Sequence, residues 1–365
     1  MKVMSIVGTR PELIKMSEIV KTLDKHVNHI FVHTGQNYDY ELNEIFYKDL
    51  ELRKPDHFLN WKGGSLAETV GHVMVGVEKL LKSEKPDAVV ILGDTNSALA
   101  GIIVKRMKIP LFHLEAGNRC FDDNVPEEIN RRILDHISDV NMVYTDAQRH
   151  YLIQEGVAKD RIFLMGSPMA EVIANANSHL DNTDILDRLN LRSVPYFLVN
   201  IHRDESTEIQ KNLDILVDTL NTIAEKYESD IILSTHPRLQ KKISDKKIIF
   251  NNRVRVMKPF GFFDYLNLQT YARCVLSDSG TIAEESAILG FPAITIRNAI
   301  ERPEAIDHGS ILMTGVDKEN ILLCLDAVKE PVMAPGDYFI ENCSERVLKV
   351  ILGYTGYVNR VVWRK

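Results

Sequence analysis

The chain has little of what would mark it for an oxidising or lipid environment. Its four cysteines, Cys120, Cys274, Cys324 and Cys343, are scattered, and no two form a C-x-x-C pair. That spacing argues against a disulfide framework and a zinc site, and the preferred reading is a reduced, cytoplasmic protein without a metal. No apolar run reaches the roughly 18 residues of a membrane helix. The apolar part of the opening MKVMSIVGTRPE is too short for a signal peptide and reads as a first strand. Positive charge is in deficit, with 44 Lys and Arg against 51 Asp and Glu and a net charge of −7. Duplex nucleic acid and anionic membrane surfaces are therefore not expected partners, although a few local cations could still hold a small anion. Repeats and low-complexity tracts are missing. So are G-x-G-x-x-G and Walker A motifs, which disfavours nicotinamide cofactors and ATP hydrolysis.

What is there alternates. Short runs rich in Val, Ile and Leu, each followed by a helical pattern, indicate α/β architecture with parallel sheets covered on both faces. The expected strands are 2–7, 29–34, 88–92, 111–114, 141–144 and 162–165, then 196–201, 231–234, 254–257, 274–277, 293–296 and 311–314. Helical patterns occupy 66–82, 97–107 and 126–136. A polar lapse at 175–195 separates the two series, and 365 residues exceed the usual size of one core. The expectation is two Rossmann-like domains, 1–170 and 171–343, with a terminal helix in 344–365 returning to the first. Tandem sheets of this kind predict a ligand cleft between domains, facing the carboxyl ends of the strands.

Chemistry-bearing residues recur at those ends. The first strand runs into Gly8-Thr9-Arg10-Pro11-Glu12, with Lys15 on the helix that follows. This is either a capped turn or a phosphate-binding helix start with two cations. Asp94 (in GDT) and Glu115 (in HLEAGNR) end two consecutive strands, and Glu127 and Arg131 (in PEEINR) open a helix. Singly, such acids are caps. Gathered at one sheet edge, they suit acid–base work, because neighbouring carboxylates drive their pKa values apart. In the second series His202 and Arg203 follow one strand, and His236 with Arg238 follows the next. Neither histidine has another at H-x-x-x-H spacing, which argues against a metal there. Ser277-Asp278-Ser279-Gly280-Thr281 leads from a strand into a helix bearing Glu284 and Glu285. Its backbone N–H groups could hold a diphosphate, with Glu285 accepting from ribose hydroxyls; the plain alternative is an acidic first turn complementing the helix dipole.

In their order, GTRPE with Lys15, GDT, HLEAGNR, PEEINR, IHRDES, SDSGTIAEE and ERPEA resemble the non-hydrolysing UDP-N-acetylglucosamine 2-epimerases over nearly the whole chain. The resemblance implies a GT-B-like pair of Rossmann domains, with UDP held mainly by the second, and usually a homodimer. It implies inversion of carbon 2 through elimination of UDP to a 2-acetamidoglycal and re-addition, with neither cofactor nor metal. By similarity, Asp94, Glu115 and Glu127 are the acid–base carboxylates, assisted by His202. Arg10, Lys15 and Arg131 neutralise the departing UDP. Ser279, Gly280 and Glu285 hold diphosphate and ribose, with His236 and Arg302 as further ligand candidates.

Departures from the common enzymes point to one branch. HTGQNYDY replaces the segment that contributes to allosteric UDP-GlcNAc binding, so that regulation is not expected. HTGQNYDYELNEIF, LELRKPDHFLN, EAGNRCFD and YVNRVVW resemble the branch that converts UDP-2-acetamido-2,6-dideoxy-L-talose to UDP-N-acetyl-L-fucosamine, for capsule or O-antigen synthesis. The competing readings are a UDP-GlcNAc/UDP-ManNAc 2-epimerase, a GT-B glycosyltransferase, a hydrolysing epimerase and a catalytically silent UDP-sugar sensor.

Overall fold

Val, Ile and Leu crowd the strands of both halves, and a computed structural model of the protein pairs them in parallel. It describes residues 1–35, 46–60, 64–180, 182–327 and 336–365; of 177, 178, 204 and 205 it describes the backbone only. The stretch Gln36–Ile45, which carries most of the HTGQNYDYELNEIF segment, lies outside the described residues.

The chain forms two units, Met1–Asn175 with Gly336–Lys365, and Ala176–Pro335. The first holds β1 (Lys2–Val7), β2 (Asn28–His33), β3 (His57–Phe58), β4 (Ala88–Leu92), β5 (Leu111–Leu114), β6 (Val140–Val143) and β7 (Ile162–Leu164). They form one sheet in the order β3-β2-β1-β4-β5-β6-β7. The second holds β8 (Tyr196–Ile201), β9 (Asp230–Thr235), β10 (Val254–Met257), β11 (Cys274–Ser277), β12 (Ala293–Thr295) and β13 (Leu312–Met313), ordered β10-β9-β8-β11-β12-β13. Every pairing is parallel. Both sheets reverse their winding direction beside their first strand, at β1/β4 and at β8/β11. Doubly wound sheets open a ligand crevice at such a point.

Both faces of each sheet are covered. Along β8, Phe197 and Val199 pack into one core while Tyr196 and Leu198 pack into the other, the two-residue alternation of a strand. Register levels the strand ends. Ile91 pairs with both Ile6 and His113, and Leu114 with both Leu92 and Met142, so the residues after β1, β4, β5 and β6 line one edge.

Beyond shifts of a residue or so at strand ends, two segments differ from the sequence expectation. The edge strand β3 was not expected, because two residues supply no apolar run for a pattern to reveal. The expected helix over 97–107 divides into a 3-10 turn, Asn96–Ala100, and an α-helix, Gly101–Arg106. The tighter turn packs against β1, where Gly8 approaches so closely that a Cβ would lie 1.9 Å from Ser97 Oγ.

The terminal segment completes the first unit. Helix Cys343–Val361 buries Val347, Ile351, Thr355 and Val358 and packs on helix Arg10–His26. Thr22 Oγ1 donates to Ser344 Oγ at 3.0 Å. Gly166 (φ +82°) admits the turn before it, since a Cβ there would lie 2.5 Å from Ile340 Cβ. Among the described residues no helix is long and apolar enough to cross a membrane, and all four cysteines are free thiols.

Candidate active site

In the first unit, helix Arg10–His26 starts directly after β1, with Pro11 in its first turn. Glu12 folds back to accept hydrogen bonds from the backbone N–H groups of Gly8 and Thr9. One turn later Lys15 reaches across the strand ends, and its Nζ donates to Glu115 Oε2 at 2.7 Å. Tyr144, just past β6, donates its hydroxyl to the same oxygen at 3.0 Å, and Asn118 Nδ2 donates to Oε1 at 3.2 Å. Lys15 and Glu115 side chains are only 4% and 9% exposed, so this ion pair is largely withdrawn from water. Glu115 has φ +69°, a left-handed conformation that costs any residue with a Cβ energy and occurs where the surrounding structure imposes it.

Asp94, past the end of β4, is held by Arg131 from helix Pro126–Ile137. Nε and Nη2 of the guanidinium donate to Asp94 Oδ2 at 2.9 and 2.6 Å. The remaining Nη1 donates to Glu128 Oε2 at 2.6 Å, so Arg131 bridges two carboxylates. Asn130 Nδ2 fixes the Asp94 carbonyl at 2.9 Å. Glu128 is fully buried; burial works to raise its pKa, but the Cys120 backbone N–H and Arg131 hold it below the usual carboxylate value. Glu127, the acid expected from the sequence, is half-buried and takes part in none of these bonds.

Glu12 lies close to this cluster. Burial pushes its pKa up to about 7, with the Asp94 charge adding to the rise, against hydrogen bonds from Thr95, Gly8 and Thr9. Arg10 stacks its guanidinium over Phe46, 5.7 Å from the ring centroid. His29 and His33 are four residues apart but both lie on β2, which separates them by about 13 Å and prevents shared metal ligation. Among the described residues no group of three or more His, Cys, Asp or Glu is arranged to hold a metal ion.

The second unit repeats the plan at β8/β11. Asp278, fully buried after β11, accepts from the backbone N–H groups of His202 and Arg203 and pairs with His202 Nδ1 at 2.8 Å. The turn that follows is tied by Ser279 Oγ to Thr281 Oγ1 at 3.0 Å and opens helix Ile282–Leu289. Arg302 lies beneath it, buried, with Nη1 donating to the Gly280 carbonyl at 3.0 Å and Nε 2.6 Å from Glu284. Arg302 therefore shapes the turn from inside. Glu285 accepts from Gln269 Nε2 at 2.7 Å. A second buried pair, Arg297 with Glu301, is bidentate at 2.6 and 2.8 Å. His236 caps helix Pro237–Asp245, its Nδ1 accepting from the Arg238 N–H at 3.4 Å.

The structure thus joins Lys15 to Glu115, Arg131 to Asp94, and His202 and Arg302 to the Ser279–Thr281 region. Sequence reasoning passed over Glu12, Glu128, Tyr144 and the part played by Asp278. Two of these had a signal. Glu12 stands three residues after Thr9, the spacing of a capping box. Glu128, Arg131 and Asp135 share one helical face with Leu134, a buried polar stripe.

Residues 21–352 match the family model described as UDP-N-acetylglucosamine 2-epimerase. A solved UDP-N-acetylglucosamine 2-epimerase from Rickettsia bellii is 45% identical, with a TM-score of 0.92 over 100% of both chains. The Methanocaldococcus jannaschii UDP-GlcNAc 2-epimerase, solved in complex with UDP-GlcNAc and UDP, is 32% identical, with a TM-score of 0.90 over 97% of this chain and 100% of that one. A UDP-2,3-diacetamido-2,3-dideoxy-D-glucuronate 2-epimerase from Pseudomonas aeruginosa is 31% identical over 332 residues, 88% of this chain and 90% of the relative.

Proposed function

The chain belongs to the UDP-N-acetylglucosamine 2-epimerase family and is a UDP-sugar 2-epimerase, an isomerase; from that premise we propose that its substrate is UDP-2-acetamido-2,6-dideoxy-L-talose and its product UDP-N-acetyl-L-fucosamine. The product would serve capsule or O-antigen synthesis in the cytoplasm. The segments LELRKPDHFLN, EAGNRCFD and YVNRVVW support this choice of sugar. A 6-deoxy sugar presents a methyl group where glucosamine presents a hydroxyl, and a pocket built for one leaves a polar group unpaired with the other. The names of the relatives favour a second reading, UDP-GlcNAc to UDP-ManNAc. The glucuronate enzyme shows that relatives at this distance differ in their sugar.

The observation that carries the mechanism is the line of Asp94 and Glu115 at adjacent strand ends, each held by a cation. In the proposed reaction a carboxylate removes the proton from carbon 2. The bond between carbon 1 and the β-phosphate oxygen breaks, its electron pair leaves with UDP, and a 2-acetamidoglycal remains. A proton then enters carbon 2 from the opposite face as the phosphate oxygen rejoins carbon 1. Asp94, Glu115 and Glu127 are the proposed acid–base groups, with Arg10, Lys15 and Arg131 neutralising UDP. Ser279, Gly280 and Glu285 take diphosphate and ribose, with His236 and Arg302 as further ligands and His202 assisting at the diphosphate. Lys15 and Arg131 already carry carboxylates, so turning toward UDP would loosen Glu115 and Asp94 for proton transfer.

Proton NMR in D₂O tests both sugar and chemistry. Deuterium entering carbon 2 of the deoxy-talose, with UDP-N-acetyl-L-fucosamine appearing, is the expected result. Exchange in UDP-GlcNAc alone would move the chain to the second reading. The proposal includes a homodimer, supported by the exposed Val75 on helix Leu66–Glu84 and the exposed Ile129 and Ile133 on helix Pro126–Ile137, two helices of the first unit that both pack on helix Gly101–Arg106. Light scattering should return twice the mass of one chain.

A further inference from the structure

Asp278 is a crossing point of the second unit. Its carboxylate gathers the His202 N–H at 3.1 Å to each oxygen, the Arg203 N–H at 3.0 Å and the His202 Nδ1 at 2.8 Å. One buried group thus ties the end of β8 to the end of β11, the switch point of the sheet, and to the Ser279–Thr281 turn that follows it directly. Such a cluster of donors favours the charged form: against burial, the His202 imidazole and the backbone N–H groups hold Asp278 down to about 2. An ionised carboxylate only accepts, so His202 Nδ1 must carry a proton. The opposite nitrogen, Nε2, has no partner among the described residues, and the side chain is 42% exposed. Among the described residues, the neighbouring Arg203 has its Nη2 3.7 Å from Glu301, which also pairs with Arg297.

Resting on the epimerase reading, we propose that Asp278 is a positioning residue for UDP departure: it fixes His202 as the Nδ1–H tautomer and sets the imidazole against the diphosphate-binding turn. As the bond from carbon 1 breaks, negative charge develops on the β-phosphate. The Nδ1–H ring takes a second proton on its exposed Nε2 from solvent, and the resulting imidazolium donates Nε2–H to that oxygen while Asp278 stabilises it through Nδ1–H. When UDP returns to carbon 1, the charge on the oxygen falls and the hydrogen bond weakens again. A neutral ring with the proton on Nε2 would leave Nδ1 facing a carboxylate lone pair to lone pair, so Asp278 selects against it.

The test reads the ring directly. Long-range ¹H–¹⁵N spectra of the full chain labelled in histidine, with His202 assigned from His202→Gln, should show protonated Nδ1 at high pH. In Asp278→Asn the Nε2–H tautomer should become populated. The kcat of Asp278→Asn should fall about 10²–10³-fold with KM changed less than a few-fold. Combining it with His202→Gln should cost little beyond His202→Gln alone. A wild-type His202 found as Nε2–H overturns the proposal without any variant, and so does an Asp278→Asn kcat within threefold of wild type. A wild-type enzyme inert toward every UDP-sugar would overturn the epimerase reading instead, and the tautomer alone would then decide whether Asp278 positions His202.

Discussion

Lys15 and Glu115 share a site that water barely reaches, so removing either charge strands the other. Lys15→Met should lower stability by about 3–5 kcal/mol in urea titration, and adding Glu115→Gln should restore much of it. Activity should respond differently. Asp94→Asn and Glu115→Gln should each cut turnover by orders of magnitude while UDP affinity changes less than a few-fold; near-wild-type rates in both would remove the proposed acid–base chemistry. Glu12 supplies a pH signature. Its pKa rises from 4.5 to about 7 on folding, so the neutral acid is the form the fold prefers. The stability it contributes is complete below about pH 4.5 and is lost as pH climbs through 7. Glu12→Gln, neutral throughout, should gain on the wild type by up to about 3 kcal/mol between pH 5 and pH 8, measured as the difference of two unfolding free energies. These residues also mark what could be read in advance. Asp94 and Glu115 were visible because strand ends are visible. Which of Glu127 and Glu128 would be buried was not, because adjacent letters differ only in helical phase, and the phase shows once Arg131 and Asp135 are seen to lie on the Glu128 side.

Strands announced themselves through runs of β-branched residues, and β1, β4, β5, β8, β10 and β11 have the limits the pattern implies. Edges were harder. His57–Phe58 pairs with β2 through backbone alone, and no residue preference distinguishes two letters from a loop. The division at Gly101 was equally silent, since Asn96–Ala100 tightens to meet β1, a tertiary demand rather than a local one. The terminal helix was legible from apolar spacing, and its partner was not. Its packing against helix Arg10–His26 predicts that Ile351→Ala costs about 2–5 kcal/mol. Trp363, beneath the Lys105 ammonium at 4.8 Å, offers a fluorescence probe for that transition once Trp61 is replaced by Phe. An unchanged midpoint would show that the helix does not support the unit.

Two units with separate cores need not unfold together, and a single melting temperature would average over both. UDP held at the Ser279–Thr281 turn should stabilise the second unit by about 2.7 kcal/mol at a hundred times its Kd, visible in calorimetry as an upward shift. No shift would count against a UDP site there. Finally, the first unit is interrupted. Its opening 175 residues and its closing helix are divided by the whole of the second unit. A ribosome adding about 5–20 residues per second needs roughly 10–40 s to deliver the remainder after Asn175. Throughout that interval the surface of helix Arg10–His26 that will receive the closing helix lacks that cover. A nascent chain stalled in the second unit would display that surface, making it a natural handle for chaperones and proteases that survey unfinished products.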